Sequence, residues 1–216
     1  MTAHDVEIPP LGLAGALTVP QDATGLVVFV HGSGSSRFSP RNTHVAQALN
    51  ARGMATLLFD LLRPDEEADR ANVFDIPLLA WRLLDVIGWL NAEPSAKALP
   101  LGLFGASTGA GAALLAAAER PERIRAIVSR GGRPDLAGAA LERVRTPTLL
   151  IVGGADYGVI ELNQAALARL HGPRSLKIVP GATHLFSEPG ALDAVIELAA
   201  GWFEDHFPGS GGSVGH

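Results

Sequence analysis

At 216 residues, 47% of them hydrophobic and 18% charged, the chain is long enough to bury one substantial core and falls in the length range of single α/β domains. Its formal net charge of −5, without a cluster of Lys and Arg, offers no electrostatic footprint for nucleic acid, and no apolar run approaches the ~20 residues needed to cross a membrane. The absence of cysteine excludes a disulfide framework, a thiolate nucleophile and a Cys-bearing zinc site.

The opening residues, Met1-Thr2-Ala3-His4-Asp5, lack the basic and apolar regions of a secretory signal, so a cytoplasmic location is expected. A short pair of strands is predicted at 6–8 and 13–19. Gly25-Leu-Val-Val-Phe-Val30 follows, a continuous apolar run of the kind that forms a strand buried on both faces. Further runs lie at 55–59, 99–104, 124–129, 148–152 and 176–179, each leading through a loop into a helix-like stretch. Helical signals fall at 42–52, 76–91, 108–119, 158–171 and 190–204. The last repeats Leu192, Val195, Ile196, Ala199 and Trp202 at helical spacing, with Pro189 assigned to its first turn. This alternation predicts a parallel sheet with helices on both faces, in one domain over 1–207. The polar stretch 61–75 reads as an exposed loop, and the Gly- and Ser-rich 208–216 as a flexible tail.

Gly105-Ala106-Ser107-Thr108-Gly109 stands between an apolar run and a helical stretch, the context of a nucleophile elbow. A serine hydroxyl is a poor nucleophile at neutral pH, so it needs a base within reach and an acid that orients the base. Asp156 and His184 follow later strands in the chain order that such sites use, Ser then Asp then His, and are the candidates for acid and base. Asp135, after the strand ending at Ser129, is the rival acid, while Asp60 is assigned a structural role. Attack on a carbonyl also needs donors for the oxyanion. One is expected from the backbone of Thr108 and the other from the loop His31-Gly-Ser-Gly-Ser-Ser36, at Ser33 with Gly34 as the alternative and His31 bracing the loop. The same loop lacks the Gly-Lys-Ser/Thr ending of a phosphate cradle, and Arg37 replaces the last glycine of a dinucleotide fingerprint. Arg130 and Arg133, at the carboxyl end of a strand, are candidates for holding a substrate carboxylate, and Arg37 is a weaker one.

Together, His31-Gly-Ser-Gly, Gly-Ala-Ser107-Thr-Gly, Gly-Gly-Ala-Asp156 and Gly-Ala-Thr-His184-Leu-Phe resemble the α/β-hydrolase superfamily, and within it the small dienelactone hydrolase-like branch. The resemblance spans residues 5–206 and implies the α/β-hydrolase fold: an eight-stranded, mostly parallel sheet with an antiparallel start. It also implies ester or lactone hydrolysis through an acyl-enzyme, without a cofactor. Dienelactone hydrolases proper carry a cysteine nucleophile, so Ser107 points to an ordinary carboxylesterase. Only residues 130–146 stand where many relatives insert a lid, so little or no cap and an open site for small, accessible substrates are expected. The partner implied is a small-molecule ester or lactone, with no nucleic acid and no membrane; a homo-oligomer is left open. A catalytically silent ligand- or partner-binding protein is the alternative.

Overall fold

The structure, a computed structural model, describes residues 3–207, so the tail predicted at 208–216 lies outside the described residues. An antiparallel pair, β1 (His4–Ile8) and β2 (Leu13–Thr18), opens the chain. Six strands follow: β3 (Leu26–Val30), β4 (Ala55–Phe59), β5 (Leu101–Ala106), β6 (Ile124–Arg130), β7 (Thr148–Gly153) and β8 (Arg174–Val179). They form one eight-stranded sheet in the order β1-β2-β4-β3-β5-β6-β7-β8, parallel from β4 onward. The central strands β3, β5 and β7 are buried along their whole length, as their unbroken apolar runs require when helices cover both faces. At the edge, β8 is exposed or half-buried except at Val179.

The helices are α1 (Pro40–Ala51), α2 (Pro64–Glu67), α3 (Arg70–Phe74), α4 (Ile76–Leu90), α5 (Thr108–Glu119), α6 (Tyr157–Arg169) and α7 (Ala191–His206). One core lies under α1 and α7, the other under α4, α5 and α6. In α4, Asp75 caps the first turn by accepting from Leu78 N at 2.9 Å, which satisfies an otherwise orphaned amide. In α5 a run of Gly and Ala brings the helix axis close to the sheet, and nearly every residue is buried.

Two expectations are corrected in detail. The stretch 61–75 is not a plain loop but holds α2 and α3, each too short to carry a periodic signal. In α7 the helix starts at Ala191 behind an N-cap at Gly190, so Pro189 precedes it, and Phe203 rather than Trp202 completes the buried face with Val195, Ile196 and Ala199. Between β6 and β7 the chain makes a kinked 3-10 segment, Pro134–Arg143, whose Ala137 and Leu141 join the core beside α5. It lies against the domain, leaving the carboxyl edge of the sheet uncapped on that side.

Candidate active site

Ser107 is the single residue between β5 and α5, with φ 50° and ψ −124°. L-residues avoid this conformation at a cost of about 1–3 kcal/mol, and it is the strained turn that lifts a nucleophile out of the sheet. The flanking glycines are required by contact distance. A Cβ on Gly109 would stand 2.1 Å from the Val30 carbonyl oxygen, and one on Gly105 would stand 2.6 Å from Ala110 Cα. The loop after β6 pins the turn from the other side, where Arg133 N donates to Ser107 O at 2.9 Å.

Asp156 follows β7 and stands at the N-cap of α6, but its carboxylate makes no capping bond. Instead His184 Nδ1 donates to Asp156 Oδ2 at 2.7 Å. That bond fixes the imidazole with Nε2 free to accept a proton. The pair is partly accessible, His184 at 39% and Asp156 at 18% side-chain exposure. Ala155 N donates to Ala182 O at 2.9 Å, tying the Asp156 loop to the His184 loop. His184 packs over Gly131, the residue after Arg130, whose carbonyl accepts from Ser107 N. Ser107, Asp156 and His184 therefore meet at one edge of the sheet. No hydrogen bond joins Ser107 Oγ to His184 among the described residues; such contacts commonly tighten only in the substrate complex.

Two residues that sequence reasoning missed hold the histidine loop. Glu188 accepts from Thr183 N at 3.1 Å and from Thr183 Oγ1 at 2.6 Å, bonds that hold its carboxyl below the usual range. Phe186, in the left-handed region at φ 53°, buries its ring beneath the turn. A Glu four residues after the histidine was the available signal.

The loop after β3, expected to serve the oxyanion, carries a further contact. Ser33 N donates to Thr108 Oγ1 at 2.9 Å, while Thr108 N is the first amide of α5, one that a helix leaves without an internal partner. His31 braces the loop from beneath: Leu61 N donates to Nε2 at 3.2 Å, and Nδ1 donates to Gly32 O at 3.0 Å. Burial lowers the His31 pKa, outweighing the Gly32 bond and the charges of Asp60 and Glu67. Asp60 accepts from Arg37 N at 2.7 Å and pairs with the Arg37 guanidinium, so Arg37 serves the loop. Ser33 and Gly34 border a cavity of about 290 Å³ formed with Glu67, Arg70, Val73 and Phe74.

The two candidate arginines differ. Arg133 donates through Nε and Nη2 to both oxygens of Asp135, at 2.8 and 2.7 Å. Arg130 is 6% exposed, its Nη2 donates to Asn42 Oδ1 at 3.0 Å, and its buried Nε has no partner. Burial, with Arg41 nearby, lowers its pKa to about 10. Among the described residues no His, Asp or Glu cluster is arranged to hold a metal ion, and no helix is long and apolar enough to cross a membrane.

No protein-family profile matches the chain. A crystal structure of a dienelactone hydrolase from Anabaena variabilis superposes with a TM-score of 0.91 at 54% identity, covering 95% of this chain and 97% of that one. Est1E from Butyrivibrio proteoclasticus superposes with a TM-score of 0.79 at 18% identity over 94% of this chain and 98% of its own. A lidless α/β serine hydrolase of Xanthomonas campestris does so with a TM-score of 0.76 at 23% identity over 96% and 95%. These last two share the fold. Proteins from two Mycobacterium tuberculosis strains, provisionally named phosphoribosyl transferases, are 62% identical over 204 residues, or 94% of this chain. The chain spans 46% of their length.

Proposed function

The chain belongs to the dienelactone hydrolase-like α/β-hydrolases, and from that membership we propose that it cleaves carboxylic esters or lactones of small, accessible substrates through an acyl-enzyme on Ser107. The observation that carries the reading is the 2.7 Å bond from His184 Nδ1 to Asp156 Oδ2, at the same sheet edge as the strained Ser107 turn. In acylation, Ser107 Oγ bonds to the carbonyl carbon, its proton passes to His184 Nε2, and the carbonyl electron pair moves to oxygen. The oxyanion is received by Thr108 N, beside the loop whose Ser33 N donates to Thr108 Oγ1. Collapse breaks the bond to the leaving oxygen, which takes the proton from the imidazolium. Water repeats the sequence on the acyl-enzyme, with no cofactor in the scheme.

Arg130 is the better candidate for a substrate carboxylate, since no acidic side chain neutralises it, whereas Arg133 would first have to leave Asp135. The absence of a lid between β6 and β7 supports small or accessible acyl groups. A cytoplasmic enzyme over 1–207 is the reading for location and extent. The transferase name of the mycobacterial relatives attaches to proteins of which this chain spans 46%, and the hydrolase reading is the one proposed for the shared portion.

Incubation with a fluorophosphonate probe followed by intact mass tests the reading: one adduct, located at Ser107, is expected, together with turnover in a short series of p-nitrophenyl esters and lactones. An unlabelled, inactive chain would move the protein to the silent, ligand-binding class.

A further inference from the structure

Thr108 occupies an unusual position for a hydroxyl. A threonine inside a helix can turn its hydroxyl back to a carbonyl three or four residues earlier, but Thr108 is the first residue of α5 and those positions lie in β5. Thr108 Oγ1 makes no such bond; it accepts from Ser33 N at 2.9 Å, and its own proton is committed to no described residue. The residue is 6% exposed, so the hydroxyl is largely shielded from water. The loop also passes close to the nucleophile, since a Cβ on Gly32 would stand 2.8 Å from Ser107 Cβ. The hydroxyl therefore sits against the Ser33 amide, on the residue whose own amide is the other expected oxyanion donor.

We propose that the Thr108 hydroxyl is a catalytic oxyanion donor: it accepts the Ser33 amide proton and turns its own proton onto the oxygen that becomes negative when Ser107 attacks. The inference rests on the hydrolase reading above and deepens it. As attack forms the Oγ–carbon bond and drives the carbonyl electron pair onto oxygen, the hydroxyl proton remains on Thr108 and forms a charge-assisted hydrogen bond. The bond that Thr108 Oγ1 already accepts polarises its O–H and strengthens that donation. Ser33 then acts through Thr108, and Thr108 contributes both its amide and its hydroxyl.

The test compares Thr108→Val, which keeps the shape and loses the hydroxyl, with Thr108→Ser, which keeps the hydroxyl. Each is assayed for kcat and KM on p-nitrophenyl acetate and for inhibition by an aryl trifluoromethyl ketone, whose adduct with Ser107 places an oxyanion in the hole. Thr108→Val is expected to lose about a hundredfold in kcat and to bind the ketone more weakly by a similar factor, with KM within about threefold of wild type. Thr108→Ser is expected to stay within about fivefold of wild type on both measures. Thr108→Ala replaces Thr108→Val if the valine variant does not fold, as judged by circular dichroism, and the same loss is expected of it. A hydroxyl-less variant with wild-type or higher kcat would overturn the proposal, since the hydroxyl would then merely occupy the Ser33 amide. A serine variant as impaired as the valine one, or a loss confined to KM, would also overturn it by assigning Thr108 to packing. In these outcomes wild-type turnover and Ser107 labelling leave the hydrolase reading standing. A wild-type chain that neither labels nor turns over esters removes both.

Discussion

Asp135 is gripped by Arg133 through two parallel hydrogen bonds, at 2.8 and 2.7 Å, and so is committed away from His184. A bidentate guanidinium–carboxylate pair satisfies both partners at once. Asp156, whose carboxylate caps nothing, is left to orient the histidine. Asp156→Asn is therefore expected to lower kcat by about a thousandfold to ten-thousandfold, because an amide there favours the wrong imidazole tautomer. Asp135→Asn is expected to cost less than about tenfold, in line with a partly exposed ion pair. Steady-state kinetics on both variants decides it, and the reverse ranking would return the acid to the β6 loop.

Ser107 combines the proposed nucleophilic role with backbone strain, and the two separate by mutation. Ser107→Ala is expected to fold and to lose up to about a millionfold in turnover. Ser107→Gly should be equally inactive yet more stable than the alanine variant by about 1 kcal/mol, because glycine adopts φ 50° without a Cβ penalty. For a domain of this size that is a gain of about 2–4 °C in Tm. A glycine variant that melts at or below the alanine one contradicts the strain.

At Gly109 the prediction concerns packing. An added Cβ would meet backbone oxygens, Val30 O at 2.1 Å and His31 O at 2.5 Å, and neither can rotate away. Gly109→Ala is expected to destabilise by about 3 kcal/mol and to displace the oxyanion loop, read as a lower urea midpoint and a lost activity. A variant with wild-type midpoint and rate would mean that the loop and α5 are farther apart.

His31 should make stability pH-dependent. Its two bonds fit only the neutral ring: Nδ1 donates to Gly32 O while Nε2 accepts from Leu61 N, and a second proton would set donor against donor. Burial accordingly holds its pKa below the ordinary 6.5. The unfolded chain then binds the proton first as pH falls. The stabilisation by neutral His31 is complete above pH about 6.5 and is lost progressively below it, down through the folded-state pKa. Urea unfolding at pH 7.5 and 5.5 should show a larger drop for wild type than for His31→Gln, and equal drops would contradict the account.

Arg130 sits buried without an acidic partner, beside Arg41 and with its pKa lowered to about 10. A buried cation of this kind costs stability that an apolar side chain of similar volume would not. Arg130→Met is expected to hold or raise the urea midpoint while increasing KM at least about tenfold for a carboxylate-bearing ester such as a hemisuccinate, with neutral esters unaffected. Equal effects on charged and neutral esters would remove Arg130 from substrate recognition.

By itself the sequence determined the fold class and singled out the positions proposed to carry chemistry. Unbroken apolar runs such as 25–30 and 148–152 fit strands buried on both faces of a helix-covered parallel sheet, and small residues at 105 and 109 around Ser107, set between an apolar run and a helical stretch, point to a strand-to-helix turn. Short elements were not legible: α2 and α3, four and five residues long, hold about one turn each, and a single turn has no period to detect. Nor were side-chain commitments legible, because each depends on a partner far along the chain. That Arg130 turns under α1 to Asn42 and that Ser33 N reaches the hydroxyl of Thr108 seventy-five positions on follow from how β3, β5 and β6 lie side by side. Periodicity reports which face of an element is buried. Only the packed sheet decides which of several chemically competent groups stand within about 3 Å of one another, the range in which a hydrogen bond forms and selects the site.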